Sequence, residues 1–505
     1  MSWVFSLNAQ QLKVNLTTPT KVEDDVTSFH RYGNYLYSDK VNWGKMQFAF
    51  TANLKKVTYG IELTQYDENL KEFKKLSIDD NKKDLGPFRP LVHYGEDAIY
   101  VMYFRFKDED KMKMFVSKVD PKNMTVVNTK EIMEYDQRNM GLFGALKTID
   151  DTEVFYTVSK NGKNVWIVNA SPKLIGSTVI DGDLNIVQKA ELIPVKLDKL
   201  TITGSYIGND GNKVLAYQYD NPENPDFYAR GLYFQPVNGK PAFVKVKLPN
   251  GYYPGNLTLQ PSKKGDKLYI GGQYYKDDYT GGGKGVLLGE VNVSSQSMTT
   301  PTFYPFTQEL KQRVYDLDFA SKKKGELIFR DLKQNYGITE MENGTLVMSA
   351  DMHITIEGTK ASYNFRGPVI HVFIKPDGKA TMTLIPKKQA SSPYTSFFNY
   401  TFKDKLICVY ADLLKFQKKD FADKDIDLIR EADFMVPVAN VYDSEGNLLE
   451  RKVLVDDTKK LKGNVMISNR AKIGDNKFLF PIGEQKVSMV KYYTRVNHLC
   501  YLEIL

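Results

Sequence analysis

Eight times along the chain a tight polar turn gives way, within two or three residues, to a short apolar run. The runs are "GNYLYS", "GEDAIYVMYF", "DTEVFYTV", "GNKVLAYQY", "GDKLYIGG", "NGTLVMSA", "KDKLICVY" and "GDNKFLF", centred on Leu36, Ile99, Phe155, Leu215, Tyr269, Val347, Ile407 and Leu479. A loose recurrence at roughly 54 to 78 residues marks a chain of repeated supersecondary units, each too small to bury its own apolar face and stable only against its neighbours.

Inside each unit the same order of pieces returns. The fifth is the plainest: "GNLTLQPSKKG", "DKLYIGGQYY", "KGVLLGEVNV" and "TPTFYPF", four strand-length runs parted by turn residues, as in one antiparallel sheet. The third and fourth runs are joined by hairpin signals: "VDPKNM" from Val119, "PVNGKP" from Pro236, "KPDGKA" from Lys375 and "YDSEGN" from Tyr442. Glycine suits such turns because it reaches positive φ without steric penalty. The second and third runs of the fifth unit are joined by "YYKDDYTGGGKGVLL", Tyr274 to Leu288. Its glycines and Lys284 have the flavour of a phosphate loop. However, Asp278 stands where the first glycine of that motif belongs, Gly285 replaces the hydroxyl residue, and a strand follows where a helix is needed. The stretch reads as a connection.

Eight four-stranded sheets in series resemble the blades of a β-propeller, sheets packed radially around a channel. The resemblance covers residues 10–505 as one domain and is architectural, since the tryptophan-bearing motifs of WD, kelch and Asp-box repeats are missing. It implies an all-β fold of eight blades, seven being the other count the spacing allows, each blade folded from one stretch of chain. Two smaller stacked β domains are the competing arrangement. Composition favours strands: 42% of residues are hydrophobic and 12% aromatic, with 32 Tyr and 28 Phe against 3 Trp.

Two insertions break the period. Residues 306–335 lie between the fourth strand of unit five and the first strand of unit six, and 415–434 between the second and third strands of unit seven. In the second, Phe421, Ile426 and Ile429 fall on one face at helical spacing. In a propeller these two kinds of connection leave the disc on the same face. The insertions are therefore expected on one rim, where long loops on a rigid scaffold either bind or cover an apolar edge. Candidate partner-binding residues are Phe421, Ile426 and Ile429 together with Tyr274, Tyr275, Asp277, Asp278 and Tyr279 of the fifth unit and Trp43 of the first, whose rings suit a protein hot spot or sugar stacking.

The search for chemistry gives little. His30, His93, His353, His371 and His498 form no zinc or metalloprotease spacing, and no Gly-x-Ser-x-Gly elbow is present. Asp181, Asp183 and Asn185 alternate as in a calcium loop, but Ile186 and Leu192 occupy the required glycine and glutamate positions, so a hairpin turn fits better. No catalytic residue, metal or cofactor is expected. The net charge of +8 arises from 69 basic and 61 acidic residues mixed along the chain, which argues against a nucleic-acid binder. No run is long and apolar enough to span a membrane as a helix. Cys408 and Cys500 lie in strand-like runs and read as buried thiols or as a disulfide between units.

The opening "MSWVFSLNAQ" resembles the tail of a Bacteroidetes secretory signal, residues 1–9, although the basic region is missing and the apolar part is short. Residues near it offer no cysteine for a lipid anchor, and "HLCYLEIL" reads as part of the last sheet. The expectation is therefore a periplasmic or otherwise extracytoplasmic, non-enzymatic propeller that binds a protein partner in the cell envelope, for instance as a cap on an outer-membrane secretion complex. A glycan-binding or glycan-cleaving propeller working in its central funnel is the alternative.

Overall fold

The computed structural model describes residues 14–16, 20–24, 28–32, 35–43, 59–67, 71–78, 91–94, 98–108, 111–136, 153–171, 174–189, 193–194, 201–220, 228–265, 267–276, 282–317, 320–323, 326–329, 337–357, 362–387, 389–390, 397–413, 435–454, 464–465, 467, 471–474, 476–488 and 491–504. They form an eight-bladed β-propeller. Blade 1 is the antiparallel sheet Ser28–Tyr32, Tyr35–Trp43, Tyr59–Tyr66 and Glu72–Ile78, and blades 2 to 7 repeat that meander in order. In blade 6 the strands are Gly337–Glu340, Leu346–Glu357, Ser362–Ile374 and Ala380–Ile385; in blade 7 they are Phe397–Phe402, Lys405–Asp412, Val436–Tyr442 and Leu448–Val453. First strands of neighbouring blades touch along most of the ring, including Ser28–Tyr32 against Ala471–Gly474 of blade 8. The blade count is settled at eight.

One expectation is corrected. Seven blades are continuous stretches, but blade 8 is built from both ends of the chain. Val14–Leu16 and Thr20–Asp24 pair antiparallel with Lys491–Ile504 and supply its outer strand. Sharing a sheet between the ends closes the ring with backbone hydrogen bonds, which a sheet made from one end could not do.

The core is divided into wedges between neighbouring blades, with one continuous cluster on both sides of blade 8. The blade 4–5 wedge holds Val214, Ala216, Leu232 and Phe234 from one side and Leu257, Ile270, Leu287 and Val291 from the other. The inner strand Lys405–Asp412 is buried along nearly its whole length, whereas the outer strand Leu448–Val453 is exposed or half-buried. Each fully buried side chain of this size stabilises by about 1.5–3 kcal/mol.

The hairpins fall where the glycine and Asp-Asn signals put them. In blade 3, Oδ1 of Asp181 accepts from the backbone N–H of Asp183 at 2.9 Å and of Asn185 at 2.8 Å, while Oδ2 accepts from Asn185 Nδ2 at 3.0 Å. Asp443 in blade 7 is held identically by Glu445 and Asn447. These turns also latch blades together. Tyr37 Oη of blade 1 donates to the carbonyl of Pro121 in the blade 2 hairpin, and Tyr100 Oη of blade 2 to Gly182 in the blade 3 hairpin. Lys118 then pairs with Asp183, and Lys375 of blade 6 with Glu445 of blade 7. The calcium-like "IDGDLN" is thus a turn and a latch.

Candidate functional site

Strand direction separates two faces of the disc. First-to-second and third-to-fourth connections turn on one, the hairpin face; the remaining connections, which carry both insertions, leave from the other, the insertion face. The helix Gln308–Asp316 stands in the first insertion and is followed by the paired strands Ala320–Lys323 and Glu326–Phe329. Thr307 caps the helix, its Oγ1 accepting from the Leu310 N–H at 3.2 Å, and Glu309 favours the first turn. Leu310 and Val314 sink into the blade 5–6 wedge with Phe306, Ile338 and Met348, whereas Tyr315 stays 38% exposed. This insertion covers an apolar edge and leaves a polar ridge outward.

The triple-glycine connection joins Leu268–Lys276 to Gly285–Asn292. A Cβ on Gly283 would lie 1.2 Å from Gln273 Nε2, and one on Gly285 2.2 Å from the Tyr304 carbonyl. The Lys284 N–H donates to the Tyr274 carbonyl at 2.9 Å. Glycine is needed at Gly285 for close packing against backbone within the sheet, whereas at Gly283 the Gln273 side chain could move aside, and the Lys284 backbone donor is already used. Tyr274 is 4% exposed, packed edge-on to Phe303 at 4.9 Å and tilted on Tyr252 at 5.7 Å, and burial pushes its phenol up to about 12. Tyr275 is half-buried and donates to Gln273 Oε1 at 3.2 Å. Trp43 ends its strand opposite Tyr59. By connectivity Trp43 and Tyr275 stand toward the insertion face. Asp277, Asp278, Tyr279, Phe421, Ile426 and Ile429 lie outside the described residues.

A cluster of ionisable groups that sequence spacing did not single out lies in the seam between blades 6 and 7. Toward the insertion face Arg366 Nη1 donates to Asp351 Oδ2 at 2.8 Å, Lys387 Nζ lies 3.9 Å from the same oxygen, and Arg451 Nη2 lies 3.3 Å from Asp412 Oδ2. Asp412 Oδ1 also accepts from the Leu413 N–H at 2.8 Å. Lys387 is fully buried, and desolvation pulls its ammonium down to about 8 against the opposing pull of Asp351. Deeper in the seam, His371 Nδ1 shares a 2.8 Å hydrogen bond with Ser349 Oγ. These residues come from different strands in two units: the rows Ser349–His371–Thr383 and Asn399–Cys408–Asn440–Arg451 place His371 and Arg451 in the seam, and Asp351, Arg366, Lys387 and Asp412 reach it from other strand positions.

Of the other histidines, His93 sits on the first strand of blade 2 between Tyr100 and Tyr156, and burial lowers its pKa to about 4. His30, His353 and His498 lie in strands of blades 1, 6 and 8. Cys408 and Cys500 are both free thiols, one in the blade 6–7 seam and one in the wedge around blade 8, so the disulfide reading is excluded. Among the described residues no cluster of metal-ligating side chains occurs, and no helix is long and apolar enough to cross a membrane.

No family model matches the chain, and neither does any curated protein. Among solved structures, the polysaccharide lyase Uly1 aligns over 97% of this chain and 99% of its own at 10% identity and a TM-score of 0.41. The uncharacterised protein lmo1340 from Listeria monocytogenes EGD-e aligns over 79% and 89% at 10% identity and a TM-score of 0.36. An endo-arabinase from Bacteroides thetaiotaomicron aligns over 58% and 97% at 15% identity and a TM-score of 0.25. Overlaps at these TM-scores bear on neither activity nor ligand.

Proposed function

We propose that this propeller is a protein-binding scaffold that docks its partner on the insertion face. The observation that carries this reading is the seating of the helix of the first insertion, whose Leu310 and Val314 are buried in the blade 5–6 wedge. A helix seated in this way presents a pre-organised surface, which lowers the ordering cost of association. Trp43, Tyr275, Asp277, Asp278, Tyr279, Phe421, Ile426 and Ile429 are its proposed contacts, whereas Tyr274 is buried against Tyr252 and Phe303. The proposal extends to an extracytoplasmic site of action, with the disc capping an outer-membrane secretion complex.

The glycan reading has one observation in its favour, that Asp351 and Asp412 come from different blades and approach a common lysine. Each is engaged by a guanidinium, however, which suits a structural pair better than an acid and base kept apart for hydrolysis. Cross-linking and affinity purification from the native envelope, with a variant lacking residues 415–434 beside the wild type, tests the proposal. A stoichiometric partner lost in the variant is expected. Glycan turnover by the pure protein with no partner recovered would reverse the ranking.

A further inference from the structure

The chain contains four Asn-Gly pairs: Asn161–Gly162, Asn238–Gly239, Asn250–Gly251 and Asn343–Gly344. In such a pair the side-chain carbonyl carbon of asparagine can reach the next backbone nitrogen, and glycine has no Cβ to hinder the approach. Whether the two atoms meet depends on what else holds them.

Two of the pairs are held on both reacting sides. In the first-to-second hairpin of blade 3, the Gly162 N–H donates to the Ser159 carbonyl at 2.8 Å, while Asn161 Oδ1 accepts from Ser159 Oγ at 2.7 Å and from the Lys163 N–H at 3.2 Å. In that of blade 6, the Gly344 N–H donates to the Met341 carbonyl at 3.1 Å and Asn343 Oδ1 accepts from the Thr345 N–H at 3.0 Å. The backbone N–H of each asparagine is also tied to the next blade, Asn161 to Asn209 Oδ1 at 3.0 Å and Asn343 to Asp404 Oδ1 at 2.8 Å.

The third-to-fourth hairpin of blade 4 is built differently. Its strand pairing ends at Phe234 and Ala242, which leaves a wide loop containing Pro236 and Pro241, residues with no N–H to give. The loop is fastened on either side of the pair, by the Val237 N–H on Asn212 Oδ1 at 3.0 Å and by Gln296 Nε2 on the Lys240 carbonyl at 3.1 Å. Between them Asn238 and Gly239 are exposed, and Gly239 has a φ of 136° against 69° at Gly162 and 84° at Gly344. Neither the Gly239 N–H nor the Asn238 side chain is hydrogen-bonded to another described residue, so both are open to water. Asn250–Gly251 is intermediate: the Tyr252 N–H closes its turn on the Pro249 carbonyl at 3.0 Å, and Gly251 is half-buried.

We propose that Asn238 is a site of spontaneous covalent modification, closing on Gly239 to a succinimide that water opens to isoaspartate and aspartate. The Gly239 nitrogen forms a bond to Asn238 Cγ, the Cγ–Nδ2 bond breaks, and the proton of the Gly239 N–H leaves with that nitrogen as ammonia. Water then adds to one of the two ring carbonyls. Opening at Cγ gives aspartate; opening at the backbone carbonyl gives isoaspartate, whose main chain is longer by one methylene. Either product places a new carboxylate in the same loop as Lys240, on the hairpin face and away from the insertions.

Incubation of the intact protein at mildly alkaline pH, followed in time by peptide mass spectrometry, tests this. Asn238 is expected to deamidate about tenfold or more faster than Asn161 and Asn343, where hydrogen bonds on both groups must be given up before the ring closes. Asn250 is expected between them, and isoaspartate in excess over aspartate at position 238. In urea the four pairs are expected to react at similar rates. An unreactive Asn238, a different native order or aspartate as the sole product would overturn the proposal. So would a native order that persists in urea, since the neighbouring residues and not the fold would then set the rates.

Discussion

The His371 imidazole is fully buried, with Phe373, Phe397 and Tyr442 around it and Ser349 on Nδ1. Burial lowers its pKa from 6.5 to about 3, so between those values the unfolded chain binds a proton that the folded chain does not. Above pH 6.5 the imidazole is neutral in both states and contributes no pH dependence, and stability is lost as pH falls from 6.5 toward 3, by at most about 1.4 kcal/mol per pH unit from this one group. His93, lowered to about 4, acts in the same direction over a narrower window. Replacing His371 by Gln is therefore expected to flatten the acid limb of stability, measured as urea midpoints between pH 7.5 and 4.5. A variant with the wild-type slope would refute the assignment. Nothing in "VIHVFI" announces this environment, because strand alternation tells which residues share a face but not which blade faces them.

Among the elements, the helix Gln308–Asp316 was open to a sequence reading that the β pattern obscured. Thr307 as cap, Glu309 in the first turn and apolar Leu310 and Val314 four apart are start and face signals, whereas helical spacing drew attention to 415–434, which lies outside the described residues. If the helix is a structural cover, Thr307→Ala should cost about 1 kcal/mol through the lost cap. Leu310→Ala should cost about 2–4 kcal/mol through the cavity left in the blade 5–6 wedge. Denaturation midpoints check the order; a Leu310→Ala change as mild as the cap variant would mean that the helix rests on the wedge without filling it. The hairpins were more legible. "VDPKNM", "PVNGKP", "KPDGKA" and "YDSEGN" all join third to fourth strands, because a turn is specified by a few adjacent residues and their φ preferences.

At the scale of the whole molecule, closure rests on Val14–Leu16 and Thr20–Asp24 lying along Lys491–Ile504. Removing residues 1–24 would leave the third strand of blade 8 as an open edge, and the melting temperature is expected to fall by roughly 10 °C or more in calorimetry. An unchanged melting temperature would show that the inner wedges alone hold the ring. The spacing of turns and apolar runs was enough to specify four-stranded units, their approximate number and the places where the insertions interrupt them, since all of these are local properties of consecutive residues. The tertiary structure decided the pairing of the two chain ends, the burial of Tyr274, and the gathering of Asp351, Arg366, Lys387, Asp412 and Arg451 in one seam. Those depend on which sheet faces which across a wedge, a relation between residues far apart in the chain that no local pattern encodes.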